Sequence, residues 1–250
     1  MGKKILVTGT SSGLGKFLSK KFNSYKFKRK NTSRSILNKK WKLIIHCAYD
    51  SKSYNIDNFK KYFDDNIVLS NTVSRLEGKK IFISTAQVYE NNKINKRKEN
   101  DQILHNKLST YPLSKIVCES FFNRKGNIIL RVGSMVGLSM RRNTIKKIIT
   151  DNKVNINLNK KSKFSFVSYD EIYEIIKILL KYKKDGIYNV VRNDLINLQY
   201  ISKKINKHVT YGKYYFECTK ASNFKINKFY NLNKESSFDI IKKFINKKKV

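Results

Sequence analysis

Short apolar runs, broken by glycine turns and amphipathic stretches, organise the chain. Ile5-Leu6-Val7, Leu43-Ile44-Ile45, Ile81-Phe82-Ile83 and the core of Asn127–Val132 are apolar at successive positions rather than alternate ones. That pattern predicts strands buried on both faces. A further strand is expected over Tyr25–Ser33. Between the strands, Lys16–Phe22 carries Phe17, Leu18 and Phe22, and Ile56–Arg75 carries Phe59, Phe63, Ile67 and Val73. Pro112–Phe122 offers Val117, Phe121 and Phe122 as inward residues, with the only proline in the first helical turn, where its missing N–H costs nothing. This alternation predicts an α/β fold, a doubly wound parallel sheet with helices on both faces.

Beyond Gly133 the periodicity loosens. Arg141–Ile149 reads as a helix, and Ser168-Tyr169-Asp170-Glu171 as a capping box opening a helix over Ile172–Tyr182. A strand follows at Gly186–Val191, then helices at Leu198–Ile205 and Ser236–Asn246. The expected division is a larger sheet domain over 1–133 and a smaller lobe over 134–250, with one or two elements returning to the main sheet.

The first strand runs into Thr8-Gly9-Thr10-Ser11-Ser12-Gly13-Leu14-Gly15 and then a helix. A strand, a glycine turn and a helix start gather free backbone N–H groups and a positive dipole end at one point, which suits a diphosphate. In such a fold an acid near the end of the second strand holds the ribose hydroxyls of NAD. No Asp or Glu occurs between Gly2 and Tyr49; the region offers Arg29, Lys30, Ser33 and Arg34 instead. A guanidinium beside a hydroxyl suits the additional phosphate of NADP, so NADP(H) is expected over NAD(H).

Tyr111 and Lys115 lie four apart at a helix start and so share a face. A nearby ammonium favours phenolate and draws a tyrosine pKa toward neutrality, making the phenol usable as a general acid or base. Thr85, at the end of the fourth strand, supplies a hydroxyl that could polarise a carbonyl, and ligands in such sheets bind outside the carboxyl ends of the strands. His46 reads as a packed or hydrogen-bonded core residue.

Taken together, the glycine turn, His46-Cys47-Ala48, Ser84-Thr85-Ala86-Gln87-Val88-Tyr89, Tyr111-Pro112-Leu113-Ser114-Lys115 and Leu130-Arg131-Val132-Gly133 resemble the short-chain dehydrogenase/reductase superfamily. More narrowly they resemble its extended branch, the NAD(P)-dependent epimerase/dehydratase family acting on nucleotide sugars. Phe166-Val167-Ser168-Tyr169-Asp170-Glu171 and Gly186-Ile187-Tyr188-Asn189-Val190 extend the likeness over nearly the whole chain.

The resemblance implies a Rossmann-type sheet with a C-terminal substrate lobe. It implies that Tyr111 moves the proton, Lys115 holds the nicotinamide ribose and tunes Tyr111, and Thr85 binds the reacting oxygen. Asn66 matches a helix asparagine that helps position the lysine and a water, and a structural asparagine is the alternative. Gly9, Ser11, Ser12, Gly13, Leu14, Gly15, Ser33, Arg34, Ala48 and Val132 would contact the cofactor. Gln87 would contact a nucleotide-sugar substrate; Arg141 and Arg142 could grip its diphosphate if they point inward, with exposed surface arginines as the alternative.

The chain departs from the family at three places. Its glycine spacing is that of the single-domain branch. Ala86-Gln87 stands where 4,6-dehydratases carry an Asp-Glu pair, which argues against elimination chemistry. The segment between Arg34 and the third strand is too short for the acidic contact to adenine. A 4-ketosugar reductase is favoured, with a self-recycling epimerase, a reductase of another small carbonyl compound, or a non-catalytic polyanion binder as alternatives.

Composition alters this little. The chain has 250 residues and a net charge of +36, from 54 basic and 18 acidic residues. A nucleic-acid partner would fit that charge. However, 45 Lys, 29 Ile and 28 Asn, all with A/T-rich codons, point to compositional bias, and the lysines are scattered. No specific nucleic acid, membrane or metal partner is expected, and a homodimer is left open. Cys47, Cys118 and Cys218 have no Cys-x-x-Cys spacing and suit thiols in a reducing compartment. With no signal-peptide core or membrane-length apolar run, a cytoplasmic protein is expected.

Overall fold

The computed structural model describes residues 4–27, 38–50, 59–90 and 96–248. The chain opens with β1 (Ile5–Val7), α1 (Gly13–Lys21), β2 (Tyr25–Lys26) and β3 (Leu43–His46). A helical stretch follows as α2 (Phe59–Phe63), a π-helical turn at Asp64–Val68, and α3 (Leu69–Arg75). Next come β4 (Lys79–Thr85), α4 (Thr110–Phe122) and β5 (Ile128–Val132). These are the strands and helices that the apolar runs predict. Of the expected second strand, Tyr25 and Lys26 are extended and pair with β1; the stretch ending in Ser33 lies outside the described residues.

The second half contains β6 (Ser134–Val136), α5 (Thr144–Thr150), β7 (Val154–Leu158), β8 (Lys163–Phe164), β9 (Phe166–Ser168) and α6 (Tyr169–Lys181). It ends with β10 (Gly186–Val190), β11 (Ile196–Asn197), α7 (Leu198–Lys204), β12 (Val209–Tyr214), α8 (Phe224–Asn227) and α9 (Ser237–Lys248). The capping box at Ser168 and Glu171 is present in both directions.

Among the described residues the main sheet runs β10-β5-β4-β3-β1-β2, with every neighbouring pair parallel. The chain winds outward from β1 to β2, then returns past β1 to β3. The crevice that such a reversal opens lies at the carboxyl ends of β1 and β3. β10 comes from beyond Gly133 and extends the sheet next to β5.

Both faces are covered, as the unbroken apolar strands require. Val7, Leu43, Ile45, Ile81, Ile83, Ile128 and Leu130 pack on one side with Leu14 and Leu18 of α1 and with Ile172, Ile175, Ile176 and Leu179 of α6. Their strand neighbours Leu6, Ile44, Phe82 and Ile129 pack on the other with Ile67, Val73, Cys118 and Phe122. Val117, expected inward, is 39% exposed. The buried stripe of α4 is instead Ser114, Lys115, Cys118, Glu119 and Phe122, and Val117 falls outside it.

That stripe carries a buried ion pair. The Glu119 carboxylate accepts from Arg131 Nε at 3.0 Å and Nη2 at 2.7 Å, and from Ser84 Oγ at 2.5 Å. Arg131 also donates to the Tyr89 hydroxyl and to the Glu99 carbonyl. The pair ties α4 to the ends of β4 and β5, directly behind Thr85. Replacing Arg131 with Met strands the carboxylate in the interior, which costs ~3–5 kcal/mol. Thermal or urea unfolding should show that loss for Arg131→Met, and a partial recovery when Glu119→Met is added.

Candidate active site

β1, α1 and β3 meet with no space between their backbones. Gly9 has φ +69°, and a Cβ there would lie 2.8 Å from the Ala48 nitrogen. At Gly15 a Cβ would lie 2.4 Å from the Gly9 carbonyl oxygen. Only glycine fits at either place. The first turn of α1 is thereby drawn against the end of β1, with its N-terminus facing the crevice.

A cleft of about 500 Å³ opens there. Gly9, Ser12, Gly13, Leu14 and Gly15 line one end; Thr85, Gln87, Tyr111, Lys115 and Val132 line its middle. Met135, Phe164, Phe166, Phe216 and Cys218 form the wall contributed by the second half of the chain. The cleft thus brings together most of the residues expected from the sequence. Ser11 is exposed, and neither it nor Ala48 lines the cleft; Ala48 instead packs beneath Gly9. Ser33 and Arg34 lie outside the described residues.

The two arginines separate. Arg141 lines the cleft at the glycine turn, donating from Nε to Ser12 Oγ at 2.8 Å and from Nη1 to the Tyr49 carbonyl at 3.0 Å. Arg142 turns away and pairs with Asp151 at 2.7 Å. A role for Arg142 at a substrate diphosphate therefore finds no support in its placement, and Arg141 stands beside the glycine turn rather than the apolar wall.

The Thr85 hydroxyl stands close enough to the Tyr111 phenol to favour its ionised form. Lys115 is buried, donates from Nζ to the Ile83 carbonyl at 3.0 Å, and sits 4.7 Å from the Tyr49 ring centre. The Tyr49 ring also packs edge-on to Tyr111, with centroids 5.0 Å apart. Tyr49 is a site residue that sequence reasoning missed. It follows the third strand in a loop, where no periodicity indicates which way a side chain faces.

Burial decides the electrostatics here. It raises the Tyr111 pKa above the usual value, and the Thr85 hydroxyl only partly offsets it. Burial likewise lowers the pKa of Lys115, against the pull of Cys118, Cys47 and Glu119. Sequence reasoning expects the Lys115 ammonium to bring Tyr111 toward neutrality. In the structure desolvation outweighs any such effect, and the phenol is held protonated. A protonated phenol beside a threonine hydroxyl is arranged to donate to an oxygen placed between them.

Behind this site lies a second polar group. Asn66, in the π-helical turn, does not line the cleft. Its Oδ1 accepts from the Asp50 N–H at 2.8 Å, and its Nδ2 donates to the carbonyls of Asp50 and Tyr62, each at 3.0 Å. His46 lies between Thr8 and Ser70 and stacks on Phe82 and Phe122. It is the core histidine that the sequence suggests. Burial pushes the Cys47 thiol up to about 12 and the Cys218 thiol up to about 11, so both stay protonated.

No protein-family model and no curated protein matches the sequence. Solved structures match the fold over almost its whole length. MoeE5 in complex with UDP-glucuronic acid and NAD superposes with a TM-score of 0.82 at 14% identity, covering 98% of this chain and 99% of that one. The dTDP-4-dehydrorhamnose reductase of Bacillus anthracis in complex with NADP gives 0.80 at 17%, covering 99% and 100%. The UDP-glucuronic acid 4-epimerase of Bacillus cereus gives 0.76 at 18%, covering 97% and 98%. The architecture is therefore the Rossmann-type fold of these proteins. Among the described residues, no helix is long and apolar enough to cross a membrane.

The neutral His46 makes the fold acid-sensitive. Burial, reinforced by the Lys115 ammonium, lowers its pKa from 6.5 to about 3. The unfolded chain therefore takes up a proton below 6.5 that the folded chain refuses. Stability is full above 6.5 and falls as the pH drops toward 3. Between about pH 7 and about pH 5 this one group should remove ~2 kcal/mol. Urea melts at the two pH values should show a smaller difference for His46→Asn than for the unaltered protein.

Proposed function

We propose that the protein is an NAD(P)-dependent oxidoreductase of a nucleotide-activated sugar, acting as a 4-ketosugar reductase. The cofactor would occupy the half of the molecule built from 1–133, and the substrate the half from 134–250. The observation that carries this reading is the convergence of Thr85, Tyr111 and Lys115 with the glycine turn across one cleft. A nicotinamide dinucleotide laid over the turn would supply hydride chemistry. Its diphosphate would meet the N-terminus of α1, and its ribose would lie within reach of Lys115.

The chain's own residues then divide the work. Thr85 and Tyr111 bind the carbonyl oxygen of the substrate, and Tyr111 donates the proton that accompanies hydride addition at carbon. The raised pKa of Tyr111 favours this direction, because the phenol starts protonated. The neighbouring structures, two with NAD and UDP-glucuronic acid and one a dTDP-4-dehydrorhamnose reductase with NADP, support the same class of reaction. A phenol poised to donate favours a reductase over an epimerase, which must first take a proton from an alcohol. NADP(H) is the favoured cofactor, on the absence of any acid before Asp50 and the presence of Arg34.

Two experiments test this reading. Tyr111→Phe should lower turnover of nucleotide 4-ketosugars, followed at the NADPH absorbance band, by about a hundredfold or more, with dinucleotide affinity little changed. Interconversion of epimers with no net change in NADPH would instead establish the epimerase. In the second, NADPH should bind at least ~10-fold tighter than NADH, about 1.4 kcal/mol. Arg34→Asp should erase that preference in a binding titration, and equal affinities in the unaltered protein would remove the NADP assignment.

A further inference from the structure

Thr8, His46, Ser70 and Asn66 form one buried chain, at 0%, 1%, 2% and 2% exposure. Thr8 Oγ1 lies 2.7 Å from His46 Nδ1, and His46 Nε2 lies 2.9 Å from Ser70 Oγ. Ser70 Oγ donates to the Asn66 carbonyl at 2.6 Å. The proton count gives the chain a direction. Thr8 Oγ1 already accepts from the N–H groups of Cys47 and Ala48, each at 3.1 Å, so its own proton goes to Nδ1. The imidazole therefore carries its hydrogen on Nε2 and donates to Ser70, whose proton in turn goes to Asn66.

Each end of the chain meets the cleft through backbone. At one end Thr8 grips Cys47 and Ala48, against which Gly9 is packed without clearance. At the other, Asn66 holds both backbone groups of Asp50, next to Tyr49, whose ring rests on Lys115 and Tyr111. We infer that His46 is a positioning residue. Fixed as the Nε2–H tautomer, it couples the dinucleotide-binding turn at one end to the Tyr49–Tyr111–Lys115 cluster at the other. The inference rests on the proposed nicotinamide-dinucleotide function and adds to it a residue that touches neither cofactor nor substrate.

Three substitutions separate the two ends. His46→Asn keeps a polar group at the Nδ1 position and loses the Ser70 bond. His46→Gln keeps one at Nε2 and loses the Thr8 bond. His46→Phe keeps the stack on Phe82 and Phe122 and loses both. Each lost buried hydrogen bond is expected to cost about tenfold in the quantity it supports. His46→Asn should lower kcat with the dinucleotide Kd near that of the unaltered protein. His46→Gln should raise the dinucleotide Kd with a smaller effect on kcat. His46→Phe should do both, and thermal unfolding is followed alongside in every case. The inference is overturned if His46→Phe keeps both constants, or if all three variants lose kcat and affinity in the same proportion. The latter pattern would mark a merely structural histidine. Nitrogen NMR of histidine-labelled protein provides a readout independent of activity: a bare Nδ1 and a protonated Nε2 at His46 support the chain, and the opposite tautomer breaks it. If the unaltered protein bound no nicotinamide dinucleotide, the proposed function would fail, and the NMR result would still decide whether the proton chain exists.

Discussion

Two backbone contacts without room for a Cβ set the geometry of the cleft. Gly15 rests on the Gly9 carbonyl, and Gly9 rests on the amide of Ala48. Because β1, α1 and β3 touch through backbone, the separation of the helix N-terminus from the strand ends is defined by covalent geometry and van der Waals radii. Longer side chains at these points would push α1 outward and open the turn. The apolar strands on either side, buried on both faces, hold this junction rigid. The polar groups of the cleft can then be placed by whole elements instead of by individual loops.

Given that frame, burial governs the chemistry more than neighbouring charge does. Lys115 and Tyr111 extend from one helix turn, yet the ammonium donates to the Ile83 carbonyl and faces the Tyr49 ring. It is a cation held by a carbonyl and a π-face, with its own pKa lowered. Tyr111, packed against Tyr49, keeps its proton. A dinucleotide in the cleft would change the surroundings of both groups. Both shifts run toward the neutral form, so desolvation leaves the phenol protonated and the lysine charge more weakly held than in water.

Much of this was legible in the sequence, for identifiable reasons. Strands such as Leu43–His46 show themselves through an unbroken apolar run, here Leu43-Ile44-Ile45, and the capping box at Ser168 because its two hydrogen bonds demand particular residues three apart. That Tyr111 and Lys115 share one face of α4 follows from helical spacing alone. The short strands β6, β8, β9 and β11 escape notice because two or three residues carry no usable period. β7 differs: Val154-Asn155-Ile156-Asn157 alternates buried and exposed, a period-two signal that lysine- and asparagine-rich surroundings dilute. Tyr49 and the opposed directions of Arg141 and Arg142 depend on loop geometry, which no local pattern encodes. The π-helical turn at Asn66 is hidden for a related reason, since one extra residue in a helix leaves the composition unchanged.

The charge of the chain and the charge of the cleft are separate matters. Of 54 lysines and arginines, the described residues lining the cleft include two cationic side chains, Lys115 and Arg141. Lys115 is engaged with a carbonyl and Arg141 with Ser12 and the Tyr49 backbone. The wall formed by Met135, Phe164, Phe166 and Phe216 presents no charge. Net charge acts at long range and is screened within about 10 Å at moderate salt. It can steer anions toward the molecule, but it cannot select among them. In the proposed reading, selection would fall to the glycine turn at the N-terminus of α1, acting at contact distance, and to the side chains around Thr85 and Tyr111. Compositional drift can therefore load the outer surface with lysine while the cleft keeps its own electrostatics, because its cationic groups are few and already hydrogen-bonded, and Lys115 is buried.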